Sequence, residues 1–287
     1  MNENKYPFVS DPRDPRFLNL RSLQTHQGRS RTGLYIIEGI RHLARAVEHN
    51  APVHSVFLDH SALSNPFGQR LVRRIRQRGV PGIRLSRQLY RDLTLAIEPQ
   101  GVGAVLRQTW HSSEQIRPER NSLWLAVESI ESPGNLGTII RTAEAAGVSG
   151  IFVLGPACDP YDPAAVRATM GSLFSQKLVR CSPNEFNQWT KSNGVAVVAS
   201  SPTGLIDFRA LTYRFPLALM IGSEKQGLSE QLVEAAGFVV RIPMRGGCDS
   251  INAAVATGVL LFEMAGQQTG VEPGKRTLGW RRSSRMA

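Results

Sequence analysis

The second half of the chain, from Leu123 onward, alternates short apolar segments with segments of helical periodicity. Six apolar segments fit buried strands: LWLAVESI, GIFVLG, KLVRC, VAVVAS, LALMIGS and FVVRIPM. The helices predicted between and after them are Leu136–Ala146, Pro163–Thr169, Glu185–Ser192, Ser229–Ala236 and Ile251–Gln267. Short apolar strands that alternate with helices are typical of a parallel sheet covered on both faces. The pattern therefore predicts an α/β domain over residues 122–267.

The first part of the chain shows a shorter version of this alternation. Residues 1–16 contain three prolines and predict a flexible arm, and residues 17–110 predict a small α/β domain. Residues 111–121 are polar and predict a linker, whereas residues 268–287 form a basic tail. A helix predicted over Asn65–Arg78 directs its apolar side chains inward. Its outward-facing side chains are Arg70, Arg73, Arg74, Arg76 and Arg78.

The elements around this helix are predicted from shorter stretches. The polar, basic stretch Gln27–Thr32 predicts a loop, and Tyr35–Glu38 predicts a short strand. An amphipathic helix follows, and its inward positions are Leu43, Ala44 and Val47. The segments SVFLD, GIRLS and GVGAVLRQ predict further strands, and a short helix is predicted near Leu89–Leu95.

Positive charge is concentrated in the N-terminal part of the chain. The 287 residues carry a net charge of +11, and residues 1–110 hold 17 basic and 8 acidic side chains, a balance of +9. A cationic domain beside a near-neutral domain is typical of a polyanion-binding module joined to a working domain. A basic surface that serves only solubility is the alternative at this point.

Several classes of protein are excluded by what the sequence lacks. No apolar stretch approaches the roughly 18 residues of a membrane span, and the N-terminus has no export signal, so a cytoplasmic protein is expected. Cys158, Cys181 and Cys248 are too widely spaced for a zinc knuckle, and no metal is expected. All six histidines lie at or before His111, which argues against a Ser-His-Asp hydrolase in the C-terminal domain.

Three loops that follow predicted strands carry the candidate chemistry, because ligands bind beyond the carboxyl ends of parallel strands. In the first loop, residues 131–147, Gly134 and Gly137 permit a tight turn and Asn135 is the expected N-cap residue. The helix that starts there offers free N–H groups to an anion, and Arg141 follows on its first full turn. A capped helix with a solvated arginine is the alternative.

The other two loops share this mixture of glycine and polar residues. Residues 221–230 place Ser-Glu-Lys-Gln between Gly222 and Gly227, directly after an apolar strand. In residues 242–258, Pro243 ends the strand because proline has no N–H to donate. The helix that follows is rich in small residues, which allow another backbone to approach closely, within the chain or from a second subunit.

In this order and spacing, the three loops resemble the three motifs of the SpoU (TrmH-like) RNA ribose 2'-O-methyltransferases of the SPOUT superfamily. The matching segments are NLGTIIR at 135–141, IGSEKQGLS at 221–229 and IPMRGGCDSINAAVATGVLLFE at 242–263. The segments RTGLYIIEGIRHLARA and PQGVGAV are similar to the small substrate-binding domain, related to ribosomal protein L30, that precedes many members.

The resemblance implies a fold class, a cofactor and an assembly. The expected fold is an α/β parallel-sheet SPOUT domain with a C-terminal deep trefoil knot, preceded by a small L30-like α/β domain. The expected cofactor is S-adenosyl-L-methionine, and the expected assembly is a homodimer whose active sites use residues of both subunits. The implied cofactor-binding residues are Gly222, Ile242, Ile251, Met244 and Ser200. The family usually has leucine at the position of Ile251.

The resemblance also assigns catalytic positions. They are Asn135, Arg141, Glu224, Ser250 and Asn252. The family mechanism makes the arginine a general base, but a guanidinium stays protonated in proteins. We therefore expect Arg141 to clamp the target phosphate and the developing alkoxide. The predicted RNA-binding residues are Arg29, Arg31, Arg41 and Arg141.

The resemblance implies an enzyme that uses S-adenosylmethionine to methylate a ribose 2'-hydroxyl of ribosomal RNA, with 23S rRNA as the expected molecule. One alternative is a tRNA 2'-O-methyltransferase, although the basic N-terminal module of about 100 residues favours rRNA. A second alternative is a non-catalytic ribosome-associated protein, which the intact catalytic positions disfavour. The sequence leaves open which nucleotide is modified, and whether the modification is housekeeping or confers resistance to a ribosome-targeting antibiotic.

Overall fold

Two β-sheets organise the chain, and the computed structural model describes residues 6–155 and 159–268. The N-terminal strands are β1 (Phe8–Val9), β2 (Leu34–Glu38), β3 (Val53–Leu58), β4 (Gly82–Leu85) and β5 (Val102–Arg107). The N-terminal helices are α1 (Pro15–Ser22), α2 (His26–Thr32), α3 (Ile40–Glu48), α4 (Pro66–Gln77) and α5 (Arg87–Leu93). The five strands lie in the order β1-β4-β3-β5-β2, and β5 runs antiparallel to both of its neighbours.

The larger sheet belongs to the C-terminal domain. Its strands are β6 (Leu123–Glu128), β7 (Gly150–Leu154), β8 (Leu178–Cys181), β9 (Ala196–Ser200), β10 (Ile206–Asp207), β11 (Leu217–Ile221) and β12 (Phe238–Arg241). Its helices are α6 (Pro133–Ala145), α7 (Pro163–Ala168), α8 (Pro183–Ser192), α9 (Glu230–Ala235) and α10 (Ala253–Gln268). The order is β10-β12-β9-β11-β6-β7-β8 and every pairing is parallel, which confirms the predicted parallel sheet.

The described part of the predicted arm, residues 6–16, contributes to the small sheet. Phe8 and Val9 pair in parallel with β4, and Val9 is buried. Asp14 then caps α1 by accepting a hydrogen bond from the backbone N–H of Arg16 at 2.8 Å. A strand of two residues leaves no periodic signal in the sequence, because its partners come from β4, about 75 residues later. The prediction of a flexible arm is therefore wrong for this part.

The predicted loop Gln27–Thr32 is also wrong, because these residues belong to α2. The helix begins where Thr25 Oγ1 accepts a hydrogen bond from the N–H of Gly28 at 3.1 Å. Its inward-facing side chain is Arg29 rather than an apolar residue. A helix whose buried position is charged has no apolar periodicity, so the sequence pattern could not reveal it.

The three motif loops meet at one edge of the large sheet. Residues 129–132 follow β6, residues 222–229 follow β11 and residues 242–252 follow β12. Because all the strands are parallel, their carboxyl ends lie at the same edge. The helices α6 and α7 start at this edge and pack closely, since a Cβ at Gly137 would lie 2.2 Å from the carbonyl oxygen of Ala165. Gly137 therefore serves helix packing rather than the predicted tight turn.

A buried ion-pair cluster joins the two domains. The Nη2 atom of Arg29 lies 2.7 Å from Asp159 Oδ2 and 3.1 Å from Asp162 Oδ2, just before α7. The Nη1 atom of the same guanidinium donates to the carbonyl oxygen of Leu23 at 3.0 Å. We call Arg29, Asp159 and Asp162 the junction cluster. It fixes α2 of the N-terminal domain against the segment between β7 and α7.

Further hydrogen bonds and apolar contacts connect the two domains. One nitrogen of the His42 imidazole lies 3.2 Å from the carbonyl oxygen of Val166 in α7, and the Tyr161 hydroxyl donates to the carbonyl oxygen of Thr109 at 2.7 Å. Buried apolar side chains of both domains form one connected core. The predicted linker 111–121 also packs on the C-terminal domain, where Trp189 Nε1 donates to the carbonyl oxygen of Ile116 at 3.0 Å.

Candidate active site

The three motif loops enclose a cleft of about 510 Å³ at the carboxyl edge of the large sheet. Its walls are formed by residues 200–203, 221–227, 242, 244, 249–253 and 256. The five predicted cofactor-binding residues all line it: Gly222, Ile242, Ile251, Met244 and Ser200. Of the predicted catalytic residues, Glu224, Ser250 and Asn252 line the same cleft. The structure thus brings together residues that are separated by up to 52 positions in the sequence.

The floor of the cleft is backbone, and a glycine makes this possible. The segment after β11 folds back on itself, so that the N–H of Ser223 donates to the carbonyl oxygen of Gly227 and the reverse bond forms as well, both at 3.0 Å. A Cβ at Gly222 would lie 2.1 Å from the carbonyl carbon of Gly227. Only glycine fits this close approach of the two chain segments.

A chain of side-chain hydrogen bonds crosses the mouth of the cleft. Asn135 Nδ2 donates to Glu224 Oε1 at 2.5 Å, and Asn252 Nδ2 donates to Asn135 Oδ1 at 3.0 Å. Asn252 Oδ1 also accepts hydrogen bonds from the N–H groups of Ala254 and Val255, at 2.9 and 3.3 Å, and so caps α10. We call Asn135, Glu224 and Asn252 the cleft network. It connects all three motif loops.

The predicted N-cap role of Asn135 is wrong. Ser132 occupies that position, and its Oγ accepts a hydrogen bond from the N–H of Asn135 at 3.3 Å. Pro133 fills the first helical position, where its missing N–H costs nothing. The pair Ser132-Pro133 is therefore the sequence signal for the helix start. The shift releases the Asn135 side chain from capping, and this allows it to join Glu224 and Asn252.

Arg141 lies apart from the cleft network of its own chain. It is the ninth residue of α6, and its Cα is about 9 Å along the helix axis from that of Asn135. Six residues also rotate its side chain by about 120° away from that of Asn135. Arg141 is exposed, and no ion pair within residues 6–155 and 159–268 includes it. The prediction that Arg141 lies on the first full turn of the helix is therefore wrong, because α6 begins at Pro133 rather than at Leu136.

Three charged side chains connect the loops: Glu128, Glu131 and Lys225. The sequence analysis did not single them out. Glu128 Oε2 accepts a hydrogen bond from the N–H of Ser229 at 2.7 Å, ahead of α9. Lys225 Nζ lies 2.9 Å from Glu131 Oε2, and this carboxylate raises the pKa of Lys225. Glu128 is the last residue of β6 and Glu131 follows three positions later, so their place at the end of a buried strand was the available signal.

The predicted RNA-binding arginines differ in exposure. Arg31 and Arg41 are exposed on α2 and α3. Arg29 is only 2% exposed and is held by the carboxylates of the junction cluster. The prediction that Arg29 contacts RNA is therefore wrong, because its guanidinium is enclosed by protein. The charge pattern could not reveal this, since the partners lie about 130 residues away.

Within the described residues, no group of three or more His, Cys, Asp or Glu side chains is arranged to hold a metal ion. No helix in the same part of the chain is long and apolar enough to span a membrane.

Comparison with known proteins assigns the family. The model of the SpoU rRNA Methylase family matches residues 122–262, and the model of an MRM3-like substrate binding domain matches residues 14–104. A 23S rRNA (uridine(2479)-2'-O)-methyltransferase from Streptomyces viridochromogenes is 33% identical over 264 residues, which cover 89% of this chain and 91% of that protein. The chain belongs to the SpoU rRNA methylase family. Both parts of the resemblance seen in the sequence are thereby confirmed.

Solved structures of SpoU methylases share the fold over nearly the whole chain. The AdoMet-bound rRNA methyltransferase from Sinorhizobium meliloti is 32% identical with a TM-score of 0.83, and the match covers 90% of this chain and 97% of that one. The SpoU methyltransferase AviRb from Streptomyces viridochromogenes, in complex with AdoMet, is 31% identical with a TM-score of 0.83 and covers 90% and 99%. The two-domain arrangement of this SpoU methylase is therefore shared with relatives that carry AdoMet.

Proposed function

We propose that this chain transfers a methyl group from S-adenosylmethionine to the 2'-hydroxyl of a ribose in 23S rRNA. The observation that carries the proposal is the cleft, because one edge of the sheet holds both the backbone floor at Gly222 and the polar cleft network. The family assignment and the rRNA-modifying relative, matched over 91% of its length, support the substrate.

The cleft fits the proposed cofactor in size and chemistry. Its volume of about 510 Å³ lies within the range of about 300–1,000 Å³ of small-molecule and cofactor sites. Gly222 lets the backbone of Gly227 and Leu228 approach closely, so peptide groups form part of the wall. Ile242, Met244 and Ile251 supply apolar surface for a planar base. Bound there, S-adenosylmethionine supplies an electrophilic methyl group on a sulfonium.

The cleft network would hold the ribose at the mouth of this cleft. Asn135 uses one amide N–H and its oxygen within the network, and Glu224 uses one carboxylate oxygen. The second N–H of Asn135 and the Oε2 atom of Glu224 carry no hydrogen bond within the described chain. A ribose hydroxyl is both a donor and an acceptor, so these two groups suit it. Their role is to orient the hydroxyl, because alignment of the reacting atoms supplies a large part of the rate.

We further propose that the enzyme is a homodimer formed through α10. Its exposed face carries an apolar stripe in which Val255 is 55%, Val259 38% and Phe262 56% exposed. These residues recur at helical spacing, so they form one continuous face that water contacts unfavourably. The loop that lines the cleft leads directly into this helix. A second copy packed on α10 would therefore lie beside the cleft.

The proposed dimer gives Arg141 a role that its own chain does not. Arg141 lies on α6 next to Thr142, whose methyl carbon would be 3.4 Å from a Cβ at Gly258 of α10. Arg141 is thus close to the proposed dimer face and about 9 Å along its helix from its own Asn135. In the dimer it would face the cleft of the partner subunit. There its guanidinium would clamp the target phosphate and stabilise the developing alkoxide.

The dimer is tested by sedimentation of the full chain and of a Val259→Glu variant. We expect the wild type to sediment as a dimer at micromolar concentration, and the variant to be monomeric and inactive although it still binds S-adenosylmethionine. A wild-type monomer of 31.6 kDa with full activity would contradict both the dimer and the role of Arg141 across it.

The function is tested by incubating the protein with labelled S-adenosylmethionine and unmodified 23S rRNA. Ribose methylation protects the next phosphodiester bond from alkali, so it can be mapped to a single nucleotide. Label at one ribose of 23S rRNA is the expected result. Label in tRNA but not in 23S rRNA would favour the tRNA alternative, and no label in either would overturn the proposal.

Two further predictions, on cellular location and on drug resistance, follow from an rRNA substrate. We place the enzyme in the cytoplasm, because ribosomal RNA is found there. If the mapped nucleotide lies in a drug-binding region of the ribosome, expression of the enzyme should raise resistance to that drug. The trefoil knot around β12 and α10 stays a prediction from the resemblance.

A further inference from the structure

The face of α4 that points away from the small sheet carries an unusual concentration of positive charge. Five arginines fall within nine residues, the last of them at the C-cap of the helix: Arg70, Arg73, Arg74, Arg76 and Arg78. Four of them are exposed, and Arg76 is half-buried. Over residues 6–155 and 159–268, no carboxylate lies within ion-pair distance of any of the five. We call these five residues the α4 arginine face.

Some other arginines of this protein are paired with neighbouring acids. Arg13 pairs with Asp11 at 3.3 Å and Arg16 with Asp14 at 2.6 Å. Arg209 pairs with an acid two positions away, at 3.4 Å. The α4 arginine face therefore differs in local charge balance, not only in the number of its arginines.

This charge pattern disfavours the helix that carries it. Like charges three or four positions apart, such as Arg70 with Arg73 and Arg74, repel each other on a helix surface. α4 has no acidic residue in its first turn to offset the repulsion or to complement the helix dipole. Arg74 and Arg76 lie in the last turn of α4, where they complement the helix dipole and offset part of this repulsion. The dipole does not account for the whole cluster, and such a concentration of unpaired positive charge suits a polyanion.

Exposed aromatic rings stand among these arginines. Phe67, at the start of α4, is 46% exposed, and the guanidinium carbon of Arg70 lies 5.8 Å from its ring centre. Phe8 on β1 is 57% exposed, and Arg84 lies over its ring at 5.9 Å. Val9 packs on the opposite side of the sheet, against α1 and α5, so Phe8 points to the side of α4. Arginines beside exposed rings suit phosphates and unstacked bases together.

The surface lies far from the cleft yet is connected to it. In the small sheet, β2 contacts α7 of the catalytic domain, whereas β1 lies at the opposite edge. Four strand spacings of about 4.8 Å separate these edges, a distance of about 19 Å. The helix α3 connects α4 to the domain junction. Its residue Ile40 packs against Gly68 of α4, and the next residue, Arg41, lines the same pocket as Arg167 of α7.

We propose that the α4 arginine face, together with Phe67 and Phe8, binds the sugar-phosphate backbone of an rRNA segment remote from the target ribose. This inference rests on the proposed function and specifies its substrate. The enzyme then recognises a folded domain of rRNA rather than a short sequence around the modified nucleotide. The junction cluster holds the distance between this surface and the cleft constant.

The test compares two triple variants of the full chain that change the net charge equally. The first is Arg70→Gln, Arg73→Gln and Arg74→Gln, and the control is Arg13→Gln, Arg16→Gln and Arg209→Gln. The full chain is used because one connected core spans both domains. The probes are a 23S rRNA domain that contains the mapped nucleotide, and a short stem-loop that holds only this nucleotide and its closing base pairs.

We expect the α4 variant to bind the rRNA domain about tenfold or more weakly, and the slope of log affinity against log salt to fall by about 2 to 3. The control should change the slope by less than 1. The stem-loop should be bound weakly and equally by all three proteins. At saturating rRNA the α4 variant should reach the wild-type rate, so KM changes and kcat does not. Its melting temperature should equal or exceed that of the wild type, because repulsion within α4 is removed.

Equal loss of affinity in the α4 variant and the control would overturn the inference, since the effect would then be one of net charge alone. An α4 variant that melts below the wild type and loses kcat would also overturn it, because the arginines would then be structural. A wild type that methylates no nucleotide of full-length 23S rRNA, while the α4 variant alone binds that RNA more weakly, would overturn the proposed function and leave this surface intact.

Discussion

The junction cluster and the cleft network are both polar groups assembled from distant parts of the chain, but they differ in exposure. In the junction cluster, Arg29 is 2% exposed and its two carboxylate partners are 15% and 25% exposed. In the cleft network, Glu224 and Asn252 are exposed and Asn135 is half-buried. One cluster is closed by protein, whereas the other faces the cleft.

This difference indicates a division of roles between the two clusters. A buried guanidinium must keep its partners, because an unpaired charge in the protein interior is strongly unfavourable. Hydrogen bonds at an open cleft contribute little to stability, because water competes for the same groups. The junction cluster therefore holds the domains together, and the cleft network remains available to a substrate. Substitutions in the two clusters should consequently affect different measurements.

The largest expected effect is that of Arg29→Met, which removes the buried charge and leaves Asp159 and Asp162 facing each other. We expect a loss of about 3 kcal/mol in the free energy of unfolding, measured by chemical denaturation. Arg31→Met, two positions away and exposed, is the matched control and should change stability by less than about 0.5 kcal/mol. Similar stability of the two variants would show that the junction cluster does not hold the domains together.

The junction cluster also shows where prediction from the sequence fails. The parallel sheet and the three loops at its carboxyl edge could be predicted, because strand periodicity and loop composition are local properties. The burial of Arg29 could not, because its partners Asp159 and Asp162 become neighbours only in the folded chain. For the same reason, α2 and β1 were not predicted. The inward residue of α2 is charged, and the pairing partner of β1, β4, is distant in the sequence.

The next effect concerns Arg141, at the edge of the proposed dimer face. If Arg141 clamps the phosphate and the alkoxide, both Arg141→Ala and Arg141→Lys should lose about 10²-fold or more in the rate of methyl transfer, because lysine lacks the planar guanidinium. Unfolding stability and cofactor affinity should stay at the wild-type level. Single-turnover rates from pH 6.5 to 9.5 and calorimetry with S-adenosylmethionine provide the measurements.

The lysine variant distinguishes the clamp from a general base. An amine at this position loses its proton more readily than a guanidinium, so a base mechanism predicts a rate that climbs with pH toward the wild-type value. A flat, low rate supports the clamp. The sequence prediction misplaced Arg141 along its helix because it started α6 at Leu136, whereas Ser132 and Pro133 mark the start.

A third, smaller effect separates the two roles of Asn252 in the cleft network. Asn252→Ala removes both the cap of α10 and the hydrogen bond to Asn135, so we expect a loss of about 1 kcal/mol in stability and about tenfold in rate. Asn252→Asp keeps an oxygen for the cap and removes the amide donor, so only the rate should fall. Equal stability losses in the two variants would show that the cap is not what Asn252 contributes to folding.

The smallest effect returns to the domain junction, where His42 lies between the carbonyl oxygens of Glu38 and Val166, at 3.1 and 3.2 Å. Burial lowers the pKa of His42, and the positive charges of Arg41 and Arg167 act in the same direction. The unfolded chain then takes up a proton below about pH 6.5 more readily than the folded chain. Stability is therefore complete above about pH 7 and falls as the pH drops toward the lower folded value.

The variant His42→Gln keeps a side-chain N–H for one of the two carbonyl oxygens and cannot titrate. We expect thermal unfolding of the wild type to lose more stability between pH 7.5 and 5.5 than that of the variant. Burial raises the pKa of Glu38, also at the junction, and this acts in the opposite direction in both proteins, so the difference between them isolates His42. Identical pH profiles would show that the junction carries no titrating histidine, and would leave the ion pairs of Arg29 as its electrostatic basis.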